Sequence, residues 1–463
     1  MSDPFSPFER KMRDAGLPDA AIRAFARHYE ELRAGHTGML SRAEIGPVED
    51  VPRGEELGER HAAGAAALDR TAVIKLNGGL GTSMGMRRAK SLLPVKDGLS
   101  FLDVIARQVL HLRKAHGARL PLVLMNSYRT REDSLAVLAR YPDLAADVPA
   151  DFLQHKVPRV RADDLAPVVW PAEPEHEWCP PGHGDLYVAL QTSGLLDALL
   201  SAGYRHAFVS NSDNLGAVLE PGILGWLVEE EIPFLMEVCE RSEADRKGGH
   251  LARRAAGGLA LRESAQCPDD EQGEFQDVKL YRFFNTNNLW LDLRVLAERL
   301  RAGGGVLPLP LIRNQKTIDP ADPSTPACYQ LESAMGAAIE VFEGARAVCV
   351  PRRRFAPVKT TSDLLAVWSD AFALDDAWRI ADARDPSLGP LVVDLDPGHY
   401  RWIHQLEERF PDGPPSLVRC RRLRVRGDVH FGRGVVCEGE VDLRHAGSVP
   451  RHVADGSVLR GQT

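Results

Sequence analysis

The chain has 463 residues, of which 44 % are hydrophobic and 26 % charged, a globular composition that at roughly 150 residues per domain predicts about three domains. Its 57 lysines and arginines against 65 aspartates and glutamates give a net charge of −8, which argues against a general nucleic-acid binder because such a protein needs a basic surface. Seven cysteines without a C-x-x-C pair, no apolar N-terminal signal segment and no run of about 18 apolar residues predict a cytoplasmic protein with free thiols and no membrane partner.

Residues 1–45 are a predicted N-terminal helical segment. Ile22, Phe25, Tyr29 and Leu32 recur at a spacing of three to four residues, which is typical of an amphipathic helix. We expect this helix to run from about residue 19 to residue 42. The stretch that follows, IGPVEDVPRGEELGE, is rich in proline and glutamate and is typical of a linker.

The second predicted region, residues 46–383, alternates short apolar runs with helical stretches. The helical stretches include residues 101–116 and TREDSLAVLARY, and the apolar runs are TAVIKL from residue 71, LPLVLMN at 120–126, AFVS at 207–210 and PFLMEVCE at 233–240. This alternation is typical of βαβ units and a mostly parallel sheet, whose ligands lie at the carboxyl ends of the strands. Because NGGLG follows TAVIKL and NSDN follows AFVS, we expect both polar clusters at that edge.

Residues 384–463 are the third predicted domain. Leu423, Val429, Val435 and Val441 recur every six positions, which is the repeat of a parallel β-helix; a pair of ordinary hairpins is the alternative. The arginines of this segment mostly alternate as along a strand, so we expect a solvated outer face rather than a nucleic-acid patch. They are Arg419, Arg421, Arg422, Arg424 and Arg426.

The glycine cluster after the first apolar run is a candidate anion site. Gly78, Gly79, Gly81 and Gly85 allow the backbone to approach an anion and present N–H groups to it, and Lys90 supplies a point charge for phosphate. The spacing matches neither the Rossmann fingerprint nor a Walker A sequence. A tight turn between a strand and a helix is therefore the alternative for the cluster taken alone.

Seven blocks distributed in order over residues 70–435 carry a stronger signal. They are KLNGGLGTSMG with KSLLPV, LPLVLMNS, CPPGHGD, SNSDNLG, FNTNNLW, RFAPVKTTSDLL and VRGDVHFG. Together they resemble the eukaryotic-type UTP–glucose-1-phosphate uridylyltransferases, also called UDP-glucose pyrophosphorylases. Two departures from the family pattern stand within these blocks: Ser212 replaces an isoleucine, and residues 86–89, Met-Arg-Arg-Ala, replace C-K-G-P. Arg87 and Arg88 add positive charge near the expected triphosphate.

The resemblance implies an α/β fold with a mixed, mostly parallel central sheet. Residues 46–383 are implied to form a Rossmann-like, GT-A-like nucleotidyltransferase core, and residues 384–463 a left-handed parallel β-helix that offers a surface for a homo-oligomer. The implied reaction transfers uridylyl from UTP to glucose 1-phosphate, giving UDP-glucose and pyrophosphate, with Mg²⁺ as cofactor. A broad-specificity UDP-sugar pyrophosphorylase and, from a different class, a non-catalytic sugar-nucleotide binding protein are the alternatives.

The resemblance also implies residue roles. Asp213 is the implied metal ligand, and one carboxylate suffices because Mg²⁺ usually takes only one or two. Without its block, the favoured interpretation of Asp213 is a turn or helix N-cap residue. Lys90 and Lys359 are the implied phosphate clamps and catalytic groups, and both also bind the nucleotide. The other implied nucleotide contacts are Leu76, Asn77, Gly78, Gly79, Gln154, Gly182 and Asn211. The implied sugar-phosphate contacts are His183, Asn211, Gly249, Asn285 and Asn287.

Overall fold

The computed structural model of the chain describes residues 3–462. Its α-helices are α1 Ser6–Asp14, α2 Asp19–Arg33, α3 His61–Ala67, α4 Phe101–His116, α5 Arg131–Leu138, α6 Leu186–Thr192, α7 Leu195–Ser201, α8 Pro221–Glu229, α9 Gln272–Phe275, α10 Leu293–Ala302, α11 Thr361–Trp368, α12 Pro397–Tyr400 and α13 Ile403–Arg409. None of these helices is long and apolar enough to cross a membrane.

The strands include one for each apolar run predicted from the sequence, which confirms those predictions for β2, β5, β10 and β11. In chain order they are β1 Ile45–Pro47, β2 Thr71–Asn77, β3 Pro94–Lys96, β4 Leu99–Ser100, β5 Leu122–Asn126, β6 Asp151–Leu153, β7 Val157–Pro158, β8 Val160–Arg161, β9 Trp178–Cys179, β10 His206–Asn211, β11 Phe234–Glu240, β12 His250–Arg254, β13 Leu259–Arg262, β14 Phe283–Asp292, β15 Ile312–Thr317, β16 Ala327–Glu332, β17 Arg346–Cys349, β18 Phe372–Leu374, β19 Ile380–Asp382, β20 Val392–Leu395, β21 Ser416–Arg426, β22 Val429–Phe431, β23 Val436–Arg444, β24 Arg451–Val453 and β25 Val458–Gln462.

Two helices illustrate how local sequence sets element ends. Helix α4 has the predicted bounds because Ser100 and Asp103 form a capping box at its start and Gly117, with φ 63°, ends it. Helix α2 ends at residue 33, nine residues before the predicted end at residue 42. The reason is Gly35, whose φ of 80° turns the chain while its N–H donates to the Leu32 carbonyl at 3.0 Å.

The central sheet has ten strands and is mixed. Strands β10, β2, β5 and β6 pair in parallel, as predicted. On the other side of β10, the strand β14 pairs antiparallel with both β10 and β11, and β1 and β13 pair antiparallel with β12. The expectation of a mostly parallel sheet therefore holds for one half only. In the other half, the chain returns through the long strand β14, which runs against its neighbours.

The C-terminal strands form two parallel sheets. One has the order β20-β21-β23-β25 and the other pairs β22 with β24. Parallel pairing shows that the alternative of ordinary antiparallel hairpins is wrong. The four residues of the six-residue repeat, Leu423, Val429, Val435 and Val441, are all buried.

The core is divided by the central sheet. Along β2, Val73 packs into one core cluster while Ala72 and Ile74 pack into the other, as the two-residue period of a strand requires. The cluster that contains Val73 continues into the C-terminal sheets, so both regions share one core. The N-terminal helices contribute a third cluster, built on Phe8 and Phe25, that packs against β7 and β9.

Candidate active site

The two polar clusters predicted at strand ends lie side by side. Strands β2 and β10 are parallel neighbours, with Leu76 opposite Asn211 at their carboxyl ends. The N–H of Ser212 donates to the Leu76 carbonyl at 3.1 Å, which continues the pairing beyond the strand. The loops NGGLG and NSDN therefore leave the sheet at the same edge, as expected from the sequence.

The glycine loop folds back onto its own lysine. The N–H of Lys90 donates to the Gly79 carbonyl at 3.0 Å, and Gly81 and Gly85 have φ of 64° and 77°, values that favour glycine. A Cβ on Gly85 would lie 2.9 Å from the ring of Trp402. The loop is thus closed at its base by Gly79 and covered at its tip by a C-terminal side chain.

Two of the implied nucleotide contacts, Gly78 and Gln154, lie next to each other. A Cβ on Gly78 would lie 2.4 Å from Gln154 Oε1, so only glycine leaves room for that amide. The Gly78 carbonyl accepts a hydrogen bond from Ser127 Oγ at 3.1 Å, and Gln154 N–H donates to the Asn126 carbonyl at 2.8 Å. The structure thereby brings the glycine cluster and Gln154 together over the end of β5.

Asn77 differs from its neighbours in the same list. Its side chain is buried, and its Nδ2 donates to Asn126 Oδ1 at 2.7 Å and to Ser134 Oγ at 2.8 Å. The amide is therefore committed to the interior, which leaves only the main chain of Asn77 for the implied nucleotide contact.

Lys90 and Asp213 are in direct contact. Lys90 Nζ donates to Asp213 Oδ2 at 2.6 Å, and both side chains are half-buried. The Asp213 carbonyl accepts the N–H of Val358 at 3.3 Å, and Asn214 forms a bridge with Pro357. The backbone of the segment that carries Lys359 is therefore paired with the Asp213 loop, so segments from three separate blocks meet here.

The PPGHGD loop is shaped by its glycines and by the segment around Ser333. Gly182 has φ 80°, and a Cβ there would lie 2.4 Å from the Ser333 carbonyl. His183 Nδ1 accepts a hydrogen bond from the N–H of Met335 at 2.8 Å, and burial lowers the pKa of His183 to about 4. The imidazole is consequently neutral at physiological pH and carries its proton on Nε2 as a donor.

The asparagines of FNTNNLW sit at an irregularity in β14. The pairing of β11 with β14 shifts so that Glu237 faces Asn288 while the next residue, Val238, faces Asn285. Asn287 lies at this bulge with φ 59°. Asn285 Nδ2 donates to Asn287 Oδ1 at 2.8 Å, and the N–H of Asn285 donates to the Gly249 carbonyl at 3.0 Å. The bulge therefore gathers Gly249, Asn285 and Asn287 into one polar group.

One residue beside this group was missed by the sequence analysis. A Cβ on Gly249 would lie 2.5 Å from Glu263 Oε2, so Glu263 adjoins the predicted sugar contacts. Burial raises the pKa of Glu263, and the ammonium of Lys359 acts in the opposite sense. Glu263 therefore adjoins the predicted sugar contacts, and the charge of Lys359 acts on its carboxyl group. It stands in the segment LRESAQC, where no motif or spacing distinguishes it.

The protein side chains at this edge could hold a metal ion only if bound substrate and water supplied most of its ligands. The described residues contain no group of three or more His, Cys, Asp or Glu side chains that could hold a metal ion. Asp213 offers a carboxylate whose Oδ2 is shared with Lys90. This chemistry suits a hard divalent cation that takes one carboxylate and completes its shell with phosphate oxygens and water.

Comparison with known proteins gives a consistent family. A family model described as UTP–glucose-1-phosphate uridylyltransferase matches residues 22–438. The chain is 39 % identical over 396 residues to a UTP–glucose-1-phosphate uridylyltransferase of Musa acuminata, covering 85 % of this chain and 82 % of that protein.

Solved structures agree over the whole fold. An open and closed pair of the UDP-glucose pyrophosphorylase from Leishmania major matches with a TM-score of 0.93 and 44 % identity, covering 100 % of this chain and 99 % of that chain. A variant of the Leishmania protein in complex with UDP-glucose matches with a TM-score of 0.92, 44 % identity and the same coverage.

Proposed function

Because the chain belongs to the UTP–glucose-1-phosphate uridylyltransferase family, it transfers a uridylyl group from UTP to glucose 1-phosphate, and we propose that the edge around Lys90, Asp213 and Lys359 is its active site. The observation that carries this proposal is the contact between Lys90 and Asp213 at the carboxyl ends of β2 and β10, together with the backbone pairing of the Lys359 segment to the Asp213 loop. In α/β sheets this edge is where ligands bind.

The reaction requires positioning and charge neutralisation rather than a base. A phosphate oxygen of glucose 1-phosphate attacks the α-phosphorus of UTP in line, the new P–O bond forms, and the bond to the β-phosphate breaks to release pyrophosphate. The nucleophile is already an anion, so no proton has to be removed. The protein must hold two polyanions together and stabilise the charge of the transition state.

We assign the two lysines to opposite sides of the phosphates. Lys90 faces the β- and γ-phosphates and stabilises the leaving pyrophosphate, and it does so by exchanging the Asp213 oxygen at 2.6 Å for phosphate oxygens. Lys359 contacts the α-phosphate and the sugar phosphate. This assignment is supported by the effect of its charge on Glu263, which adjoins Gly249. Arg87 and Arg88, both exposed in the glycine loop, add positive charge nearby.

Mg²⁺ is the proposed cation and Asp213 its protein ligand. When bound, it supplies positive charge to the phosphate oxygens of the substrates. The residues of the chain orient it only through one carboxylate, which matches the preference of Mg²⁺ for few protein ligands.

Recognition of the two substrates is assigned to the two sides of this edge. Gln154, the main chain of residues 76–79 and Gly182 read uracil, because a fixed amide and peptide groups leave unpaired polar groups against the wrong base. His183 donates from Nε2 to the sugar phosphate. Neutral amides suit hexose hydroxyls as both donors and acceptors, and the sugar contacts are Asn211, Gly249, Asn285 and Asn287, with Glu263 as a further acceptor.

A substrate panel tests the assignment. Purified protein with Mg²⁺ and UTP is offered glucose, galactose and N-acetylglucosamine 1-phosphates, and pyrophosphate release is measured. We expect release with glucose 1-phosphate far above the other two sugars. Comparable rates with several sugars would favour the broad-specificity pyrophosphorylase, and no release with any sugar would favour a non-catalytic binding protein.

The remaining assignments concern the whole chain. We propose an N-terminal segment 1–45, a nucleotidyltransferase domain 46–383 with a Rossmann-like, GT-A-like core, and a left-handed parallel β-helix in 384–463 that provides a surface for oligomerisation. The β-helix assignment is supported by the pairing of β21 with β23. In this pair Leu423 lies opposite Val441, which is eighteen residues, or three six-residue repeats, further along the chain. A cytoplasmic location is supported by the seven cysteines, all free and buried.

A further inference from the structure

Glu237 is a carboxylate that none of the seven sequence blocks contains and that lies entirely inside the protein. Its side chain on β11 is 0 % exposed. Arg354, itself 8 % exposed, donates to it in a two-point contact through one edge of the guanidinium, from Nε to Oε2 at 3.0 Å and from Nη2 to Oε1 at 2.6 Å. Burial alone lowers the pKa of Arg354, but the charge of Glu237 outweighs it and raises that pKa.

The same carboxylate also fastens the strand that carries the sugar contacts. Asn288 Nδ2 donates to Oε2 at 2.9 Å and Trp290 Nε1 donates to Oε1 at 3.0 Å. The main-chain oxygen of Glu237 accepts from Thr286 Oγ1 at 2.7 Å. Each carboxylate oxygen therefore has two donors, and Glu237 grips β14 on both sides of the bulge at Asn287.

A second chain of contacts leads from Arg354 to the metal ligand. Asn214 Nδ2 donates to the Arg354 carbonyl at 3.1 Å and, at 3.4 Å, to Asn288 Oδ1. Asn214 Oδ1 accepts the N–H of Ala356 at 3.0 Å. Asn214 directly follows Asp213, whose carbonyl accepts the N–H of residue 358. The Asp213 loop and the Lys359 segment are thus held against one buried ion pair.

We propose that Glu237 is a positioning residue that sets the relative placement of the metal ligand, the Lys359 clamp and the sugar-binding bulge. The inference rests on the roles proposed above for Asp213 and Lys359. It accounts for the joint occurrence of SNSDN, FNTNNLW and RFAPVK, since Asn214, Asn288 with Trp290, and Arg354 from these blocks all meet at Glu237 or at its partner arginine.

Physical reasoning favours a positioning role over a purely stabilising one. A buried ion pair is a weak source of stability, because removal of both charges from water offsets most of their attraction, and apolar replacements are often as stable. The pair does provide a fixed geometry, because a planar guanidinium in a two-point contact with a carboxylate holds the chain at residue 354 in one position. Misplacement of reacting groups by about 1 Å can cost on the order of 10²-fold in rate.

The test compares Glu237→Gln with a matched control, Glu271→Gln. Glu271 is 6 % exposed and pairs with Arg262, which is 0 % exposed, so both variants leave a buried arginine without its carboxylate. Each is measured for thermal midpoint, for kcat with saturating substrates, and for the Mg²⁺ concentration that gives half-maximal rate. We expect both midpoints to fall, and only Glu237→Gln to lose kcat, by about 10²-fold, and to require more Mg²⁺.

Two further variants keep the outcome decisive. If Glu237→Gln does not fold, the double variant Glu237→Leu/Arg354→Met removes both charges and is expected to show the same loss of kcat and the same raised Mg²⁺ requirement. Asp213→Ala reports on the proposed function itself. If Asp213→Ala loses Mg²⁺-dependent turnover while the Glu237 variants behave like the Glu271 control, the positioning role is overturned. If Asp213→Ala keeps its turnover, the active-site assignment fails instead.

Discussion

Positive charge is concentrated both at the edge of the central sheet and on the C-terminal sheet. The two regions differ in how far carboxylates neutralise that charge. On the C-terminal sheet, Arg419 and Arg460 flank Glu438 from neighbouring strands at 2.6 and 2.5 Å. At the central edge, Lys90 meets only Asp213, a carboxylate that we assign to a metal. Arg87, Arg88 and Lys359 form no ion pair with any residue in 3–462.

The difference shows how a chain of net charge −8 can bind two polyanions. The arginines of the C-terminal sheet are neutralised, because neighbouring strands place carboxylates opposite them in register. At the central edge, Arg87, Arg88 and Lys359 have no ion-pair partner among residues 3–462 and Lys90 has only Asp213, so these cations are available to phosphate. Local pairing, rather than total charge, therefore decides where an anion binds.

The largest expected effect breaks the metal ligand at the central edge. Asp213→Ala removes the carboxylate that pairs with Lys90. We expect Mg²⁺-dependent turnover to be abolished with the fold retained, because Asp213 is the only protein ligand assigned to the ion and the described residues contain no cluster of three or more His, Cys, Asp or Glu to replace it. Pyrophosphate release across a Mg²⁺ titration measures this. Asp197→Ala, at an exposed aspartate of α7, should match the unaltered protein. A rate near that of the unaltered protein for Asp213→Ala would contradict the assignment.

The next effect removes a cation from the same edge. Lys359→Ala is expected to lower kcat on the order of 10²-fold, the scale for loss of a preorganised charge donor. Steady-state kinetics with both substrates varied separates kcat from KM. Lys279→Ala, at an exposed lysine before β14, is the control and should leave kcat unchanged. A change confined to KM would show that Lys359 binds substrate without stabilising the transition state.

A third prediction contrasts the two ends of β10, since His206 begins the strand that ends beside Asp213. His206 is buried, its Nδ1 has no partner among the described residues, and burial lowers its pKa to about 4. In the unfolded chain His206 binds a proton near pH 6.5, whereas in the folded protein it stays neutral down to about pH 4. The contribution of neutral His206 to the unfolding free energy is therefore fully present above pH 6.5 and is lost as the pH falls toward 4. At pH 5 the loss is about 2 kcal/mol.

Replacement of His206 measures its contribution to the pH dependence of the unfolding free energy. His206→Leu should show a shallower fall of unfolding free energy between pH 7 and pH 5 in denaturant titrations, because the variant has no proton to exchange there. His36→Leu, at an exposed position, should leave the pH dependence unchanged. Equal slopes for His206→Leu and the unaltered protein would refute the burial effect.

The smallest effect belongs to the C-terminal sheet. Arg421 and Glu440 form an exposed pair at 3.5 Å, and such pairs contribute about 0–1 kcal/mol. Arg421→Ala should therefore leave kcat unchanged and shift the thermal midpoint only slightly. A loss of activity comparable to that of Lys359→Ala would remove the distinction between the two surfaces.

Local sequence predicted much of the fold for identifiable reasons. The buried runs TAVIKL, LPLVLMN, AFVS and PFLMEVCE became β2, β5, β10 and β11, because a strand buried on both faces needs continuous apolar residues. Helix α4 was predicted with its bounds because its cap residues are local. The early end of α2 at a positive-φ glycine, and the antiparallel half of the sheet around β14, were not predicted, since the first depends on one turn and the second on pairing of distant segments.

The candidate site divides in the same way. The sequence by itself determined the family, the strand ends that carry the glycine loop and Asp213, and the groups proposed to bind phosphate, because each lies in a contiguous block. Only the tertiary structure decided that Glu263 adjoins Gly249, that the Asn77 amide turns inward, and that Glu237 joins three blocks. The physical reason is that a lone buried carboxylate has no period or spacing along the chain, and its role arises from the donors that folding brings to it.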